Sequence, residues 1–227
     1  MISEKYRFVI KLLFTVIILF FIIQLLDYNK LIFALSIAKK EFLIFVFLSV
    51  PVWIWLKSLK WKILLSSFYP ETSNLLACRS FLGGLGPGLF TPGKIGEFTR
   101  TFYLPYGDNF KIISLVILDR YCDFIVLLLL CGIGISHFFG VYYGIAIVIT
   151  AIFGISLFYI FPIIIKNIRI RVGRKGESYK KLFFKFENIS KIKPLIFHKS
   201  LLLSLIIFLL SISASFLILN SFETTQL

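Results

Sequence analysis

Long apolar runs broken by short polar clusters dominate this chain. A helix crosses a bilayer with roughly 20 apolar residues at about 1.5 Å rise each, and several runs reach that length. Phe8–Leu26 predicts a first span, closed by Asp27-Tyr28-Asn29-Lys30. Lys5, Arg7 and Lys11 precede it as they would in a signal peptide. The run is long for that role and no small-x-small cleavage site follows, so a retained span is expected. Leu31–Ala38 is too short to cross and is placed at the interface. Phe42–Leu56 opens a second span that can continue to Leu65. Trp53, Trp55 and Trp61, with Lys57, Lys60 and Lys62, mark its approach to the headgroups, because Trp rings favour that depth and Lys stems snorkel to water. Lys111–Phe139, Val141–Ile165, after a tight turn at Gly140, and Leu201–Leu219 follow. The pattern predicts an all-α fold, a polytopic integral membrane helical bundle in one domain over 1–227, with about five spans.

Leu75–Leu104 breaks the pattern. Pro70-Glu71-Thr72-Ser73-Asn74 is a turn that ends in helix-capping residues. Glycine and proline then crowd Gly83-Gly84-Leu85-Gly86-Pro87-Gly88, where no continuous helix is expected. A second short helix is expected from Thr91-Pro92, with Thr as cap and Pro at the first helical position. Pro105-Tyr106-Gly107-Asp108-Asn109 ends it. Neither half can cross alone, so 75–104 is expected to be a re-entrant hairpin. Irregular backbone at membrane depth is tolerated where protein buries it or it lines a wet cavity.

Composition sharpens the class. The 227 residues are 59% hydrophobic, against about 45–50% in soluble domains. Only 16% are charged, yet the net charge is +14. In a water-soluble protein that balance would suggest nucleic acid; here it suggests basic loops against anionic headgroups, and no nucleic-acid partner is expected. The loop 166–199 carries eleven cations, from Lys166 to Lys199, against Glu177 and Glu187. The positive-inside rule makes it cytoplasmic. With a hairpin that does not cross, the N-terminus is then also cytoplasmic, in a cell-membrane, multi-pass arrangement. Lys39 and Lys40 fall outside, a mild violation. Tyr179, Leu182, Phe183, Phe186 and Ile189 recur at helical spacing within the loop, which fits a helix on the inner leaflet or a loop whose charge only sets orientation. The sequon at Asn188 falls in this loop and is discarded. Cys78, Cys122 and Cys131 read as small core residues, and His137 and His198 stand alone, so no metal or cofactor is expected.

Gly88 to Lys94 matches the phosphate-loop pattern GxxxxGK, but Ile95 stands where Ser or Thr would hold magnesium and no strand precedes it, so a nucleotide site is rejected. A helix starting at Pro92 would instead turn unpaired N–H groups toward an anion. Lys94, Glu97, Arg100 and Thr101 lie in its first turns, with Glu97 in reach of Lys94 and Arg100. A charge facing hydrocarbon costs about 2.5–3.5 kcal/mol on lenient scales, so these residues face a cavity, each other or the interface. They form either a site or a brace for a broken helix. Asp119-Arg120-Tyr121-Cys122-Asp123 supplies a second cluster on one helix. Arg120 could pair with Glu97, bind a phosphate, or join an ion pair that fixes helix register. Arg79 could complete a cationic pocket or snorkel. No catalytic triad, zinc site or paired-carboxylate hydrolase is readable.

Gly83–Gly88 leading into Thr91-Pro92-Gly93-Lys94-Ile95-Gly96-Glu97, then Asp119-Arg120-Tyr121-Cys122-Asp123, resembles the lysylphosphatidylglycerol synthase transmembrane region, also described as the flippase-like domain family. That family includes the membrane half of the bacterial multiple peptide resistance factor and archaeal proteins linked to dolichol-phosphate sugars. The resemblance is strongest over Leu75–Leu130 and extends from Phe8 to Ile165. It implies movement of a lipid with a phosphate-containing headgroup between leaflets, and carries over Thr91, Gly93, Lys94, Gly96, Glu97, Arg120 and Asp123. Arg79 and Arg100 join the expected substrate-binding set by their own chemistry. Relatives usually have further spans and a second glycine-rich acidic motif after the basic loop. This sequence lacks them, which suggests a truncated or divergent member. It also lacks the soluble aminoacylating domain, so no synthase is expected. The expected partners are membrane lipids, an anionic phospholipid or a polyprenyl-phosphate lipid, with a homo-oligomer or a membrane partner subunit left open. The alternatives are a glycosyl- or aminoacyl-transferase using Asp119, Asp123 or Glu97, and a non-transporting subunit or fragment.

Overall fold

In a computed structural model of the chain, the described residues are Phe20, Gln24, 27–172 and 192–223. Regular structure among them is helical: α1 (Tyr28–Ile37), α2 (Lys40–Leu65), α3 (Asn74–Phe90), a 3₁₀ segment (Pro92–Tyr103), α4 (Asn109–Phe139), α5 (Val141–Val172) and α6 (Pro194–Glu223). Stretches of α2, α4, α5 and α6 are long and apolar enough to cross a bilayer, with mean hydropathy 2.0, 2.1, 2.5 and 2.7. Their outer faces leave large apolar side chains such as Phe47, Phe138 and Tyr142 exposed, as lipid-facing surfaces require. The chain is a multi-pass helical membrane protein. Its first expected span, Phe8–Leu26, lies outside the described residues apart from Phe20 and Gln24, which are helical. The part of the basic loop from 173 to 191, with Tyr179–Ile189, where a surface helix and an orienting loop were both left open, also lies outside them.

The helices overrun the apolar runs. α2 continues to Leu65, α5 carries on through Lys166 to Val172, and α6 starts at Pro194, before the apolar run at Leu201. Two compact units are present. One comprises the described parts of Met1–Phe47 and Ala214–Leu227, where the Lys39 N–H donates to the Ser221 carbonyl at 3.3 Å. The other is Leu48–Ser213 and holds everything discussed below.

Within that second unit, α3 and the 3₁₀ segment fold back on each other as a hairpin. The glycine run does not break the helix: α3 continues through Gly83–Gly88 and Pro87 to Phe90. Each glycine costs about 1 kcal/mol of helix propensity relative to alanine, and close packing of the second arm outweighs it. A Cβ on Gly88 would stand 2.7 Å from the Glu97 Cγ, and one on Gly96 only 2.3 Å from the Pro87 carbonyl group. Pro87 has no N–H to offer the carbonyl four residues back. That carbonyl, on Gly83, instead lies 3.1 Å from the Thr99 hydroxyl of the opposite arm.

The break comes a few residues later. Gly93 (φ 65°) and Lys94 (φ 58°) are consecutive left-handed residues, costing about 1–2 kcal/mol at a non-glycine position. Thr91, expected to cap a helix with its side chain, makes no such cap. Its hydroxyl accepts from the Gly96 N–H at 2.7 Å and donates to the Pro87 carbonyl at 3.0 Å, tying the tip together. At the other end, Ser73 caps α3 by accepting from the Leu76 N–H. Tyr69 stacks on Tyr106 at 3.8 Å, and the Tyr106 and Thr72 hydroxyls are 2.7 Å apart. Asp108 then caps α4, accepting from the Lys111 N–H at 3.3 Å.

α4 and α5 join through Gly140 (φ 109°), the tight turn expected there. They pack at backbone distance, since a Cβ on Gly144 would lie 2.6 Å from the Gly132 carbonyl oxygen. Phe158 of α5 stacks on Phe197 of α6 at 3.8 Å.

Candidate functional site

Lys57 and Lys60 of α2, Asp119, Arg120 and Asp123 of α4, and Glu97 and Arg100 of the hairpin meet in one network. Helical periodicity selects the face of α2 that enters it. Lys57, Lys60, Trp61 and Leu64 recur at i, i+3, i+4 and i+7 and are all buried. Lys60 is fully buried, and its ammonium meets the Asp119 carboxylate at 2.6 Å, the Asp123 carboxylate at 2.7 Å and the Asp119 carbonyl at 3.1 Å. An ammonium has three donors, so its capacity is filled. Lys57 reaches the other Asp123 oxygen at 2.9 Å. Ser204 of α6 donates to Asp123 at 2.8 Å.

The hairpin contributes Glu97 and Arg100. Arg100 is fully buried and joins Glu97 at 2.7 Å to Asp119 at 3.1 Å. Its guanidinium lies 4.9 Å from the Trp61 ring and 5.0 Å from the Phe81 ring, where cation–π attraction adds to the ion pairs. The Ser80 hydroxyl links Trp61 to the Arg100 carbonyl, accepting at 3.3 Å and donating at 3.0 Å. Arg120 of α4 ion-pairs with Glu97 across the hairpin boundary, and its fingers lie 3.4 Å from both Asp119 and Asp123. Its side chain is 32% exposed, against none for Lys60 and Arg100.

Four cations thus face three carboxylates, leaving an excess of one positive charge with all groups ionised. The exposed edge opens on a cavity of about 400 Å³ lined by Trp53, Lys57, Lys94, Arg120, Asp123, Phe124, Leu127, Ile207, Phe208 and Ser211. Its cationic end adjoins an aromatic and aliphatic wall. Arg120 and Asp123 lie about 17 and 21 Å along α4 from its start at Asn109. Chemically the arrangement suits an anionic group attached to an apolar tail. Among the described residues, no set of His, Cys, Asp and Glu side chains groups to hold a metal ion.

A family model described as the lysylphosphatidylglycerol synthase TM region matches residues 8–225. The chain belongs to that family. No curated protein and no solved structure matches it. The residues expected to bind substrate, whether from the likeness to the lysylphosphatidylglycerol synthase TM region or by their own chemistry, are distributed unevenly. Glu97, Arg100, Arg120 and Asp123 come together in the network. Lys94 is exposed, has no ion pair among the described residues, and lines the cavity instead of pairing with Glu97. Thr91, Gly93 and Gly96 build the hairpin tip. Arg79 is exposed on α3 and joins neither network nor cavity.

Lys57, Lys60 and Trp61, expected near the headgroups, are in the network, as are Ser80 and Ser204. The shared helical face of Lys57, Lys60, Trp61 and Leu64 was the available signal, together with the cations that two carboxylates in the apolar helix α4 demand. Nothing in the sequence marks Ser204 among the other serines of α6.

Proposed function

We propose that this membrane protein handles lipids with phosphate-containing headgroups, by flippase-type translocation between leaflets. The carrying observation is the cavity, where Lys57, Lys94 and Arg120 stand beside Phe124, Leu127, Ile207 and Phe208. A phosphate meets the cations while its chains lie along the wall and in the bilayer beyond. The headgroup enters among α2, α4, α6 and the hairpin tip, whose residues line the cavity. The hairpin re-enters from the cytoplasmic side, which also holds the N-terminus and the basic loop 166–199. Glu97, Asp119 and Asp123 are each engaged by at least two cations, which favours a positioning role over acid–base chemistry.

The test is scrambling of fluorescent phospholipids and polyprenyl-phosphate lipids in liposomes carrying the full chain. Wild-type protein is expected to move at least one of them. Arg120→Ala is expected to abolish movement by removing the phosphate partner, and Glu97→Gln by removing the carboxylate that draws Arg120 back from the phosphate, so that the headgroup is held and not released. No movement of any lipid by folded wild-type protein would overturn autonomous translocation.

A further inference from the structure

We infer that Arg120 is a latch: the phosphate binds by drawing Arg120 away from Glu97, so that Glu97 competes with the ligand. This rests on the reading of the cavity as a phosphate site. Three observations carry it. Arg120 is the most exposed member of the network and faces the cavity, while its partner Glu97 is 4% exposed. Every carboxylate it touches keeps another cation when it leaves: Glu97 keeps Arg100, Asp119 keeps Lys60 and Arg100, and Asp123 keeps Lys57 and Lys60. Without Arg120, the remaining three cations balance the three carboxylates. Its withdrawal therefore removes the surplus charge and strands no buried carboxylate, the outcome that makes breaking buried pairs expensive.

Competition has a consequence opposite to that of a simple contact. Loss of the Glu97 charge should tighten anion binding, because Arg120 no longer has to be taken from a carboxylate. The detergent-solubilised full chain is titrated calorimetrically with dihexanoyl phosphatidylglycerol, and inorganic phosphate is added as competitor. Glu97→Gln is expected to bind the lipid about twofold to fivefold more tightly, the range for a part-exposed ion pair. In an Arg120→Gln background the same change should leave affinity unaltered. Glu97→Asp, which keeps a charge beside Arg100, should tighten binding by a smaller factor, and it decides the matter if Glu97→Gln fails to fold. A matching gain for inorganic phosphate assigns the latch to phosphate generally, and a gain confined to the lipid assigns it to the headgroup. Unchanged or weaker binding by folded Glu97 variants overturns the latch alone. No lipid binding by wild type or any variant overturns it together with the site.

Discussion

Lys57 and Lys60 stand nearly one turn apart on α2, and both bind Asp123, yet they occupy different environments. Lys60 is sealed with all three donors used, whereas Lys57 borders the cavity. Arg100 and Arg120 repeat the contrast. Arg100 is sealed between carboxylates and rings, while Arg120 holds the same Glu97 from a partly open position. The closed half has no substitute for a lost partner. At the open half, water or a ligand can replace one. Chemically identical side chains therefore serve as scaffold in one place and, under the proposed function, as a binding surface in the other.

Lys60→Met breaks the closed half most directly. It removes the donor from three buried acceptors and should cost about 3–5 kcal/mol, read by thermal unfolding in detergent. Gly96→Ala attacks the same half through the hairpin that delivers Glu97 and Arg100. Its Cβ would meet the Pro87 carbonyl, and a loss of about 1–3 kcal/mol is expected. Gly86→Ala, which meets nothing within 4 Å, is the control and should stabilise slightly. Asp108→Ala removes the α4 cap outside the network and should cost about 1 kcal/mol in the same melt, with scrambling preserved. Arg120→Gln should have the smallest effect on stability, about 1 kcal/mol or less for a part-exposed pair, while losing transport. A stability loss at Arg120 equal to that at Lys60 would erase the distinction between the halves.

The membrane class and the spans at α2, α4, α5 and α6 were legible because length and apolarity are one-dimensional properties. So was the chemistry of Glu97, Arg100, Arg120 and Asp123, since charge in an apolar segment requires a partner. Two readings went astray for related reasons. Propensity describes an isolated helix and so predicts a break at Gly83–Gly88, whereas here absent side chains admit the opposing arm. Snorkelling explains a lysine near a span end without reference to what its helix faces, and so places Lys57 and Lys60 at the interface. Which face packs inward is decided by other helices, and only the spacing of Lys57, Lys60, Trp61 and Leu64 hinted at it.

The Thr99 hydroxyl against the Gly83 carbonyl places a constraint on how this sequence can drift. Pro87 creates the vacancy, and the donor placed against it is the Thr99 hydroxyl, whose single proton is shared with the Gly96 carbonyl at 2.7 Å, so the two positions share one requirement. With alanine at position 87 the Gly83 carbonyl would find its donor within α3, and position 99 would be released. A library built on Pro87→Ala should accept replacements of Thr99 that the parent rejects, making this pair a site of epistasis between two residues that do not touch through their own functional groups.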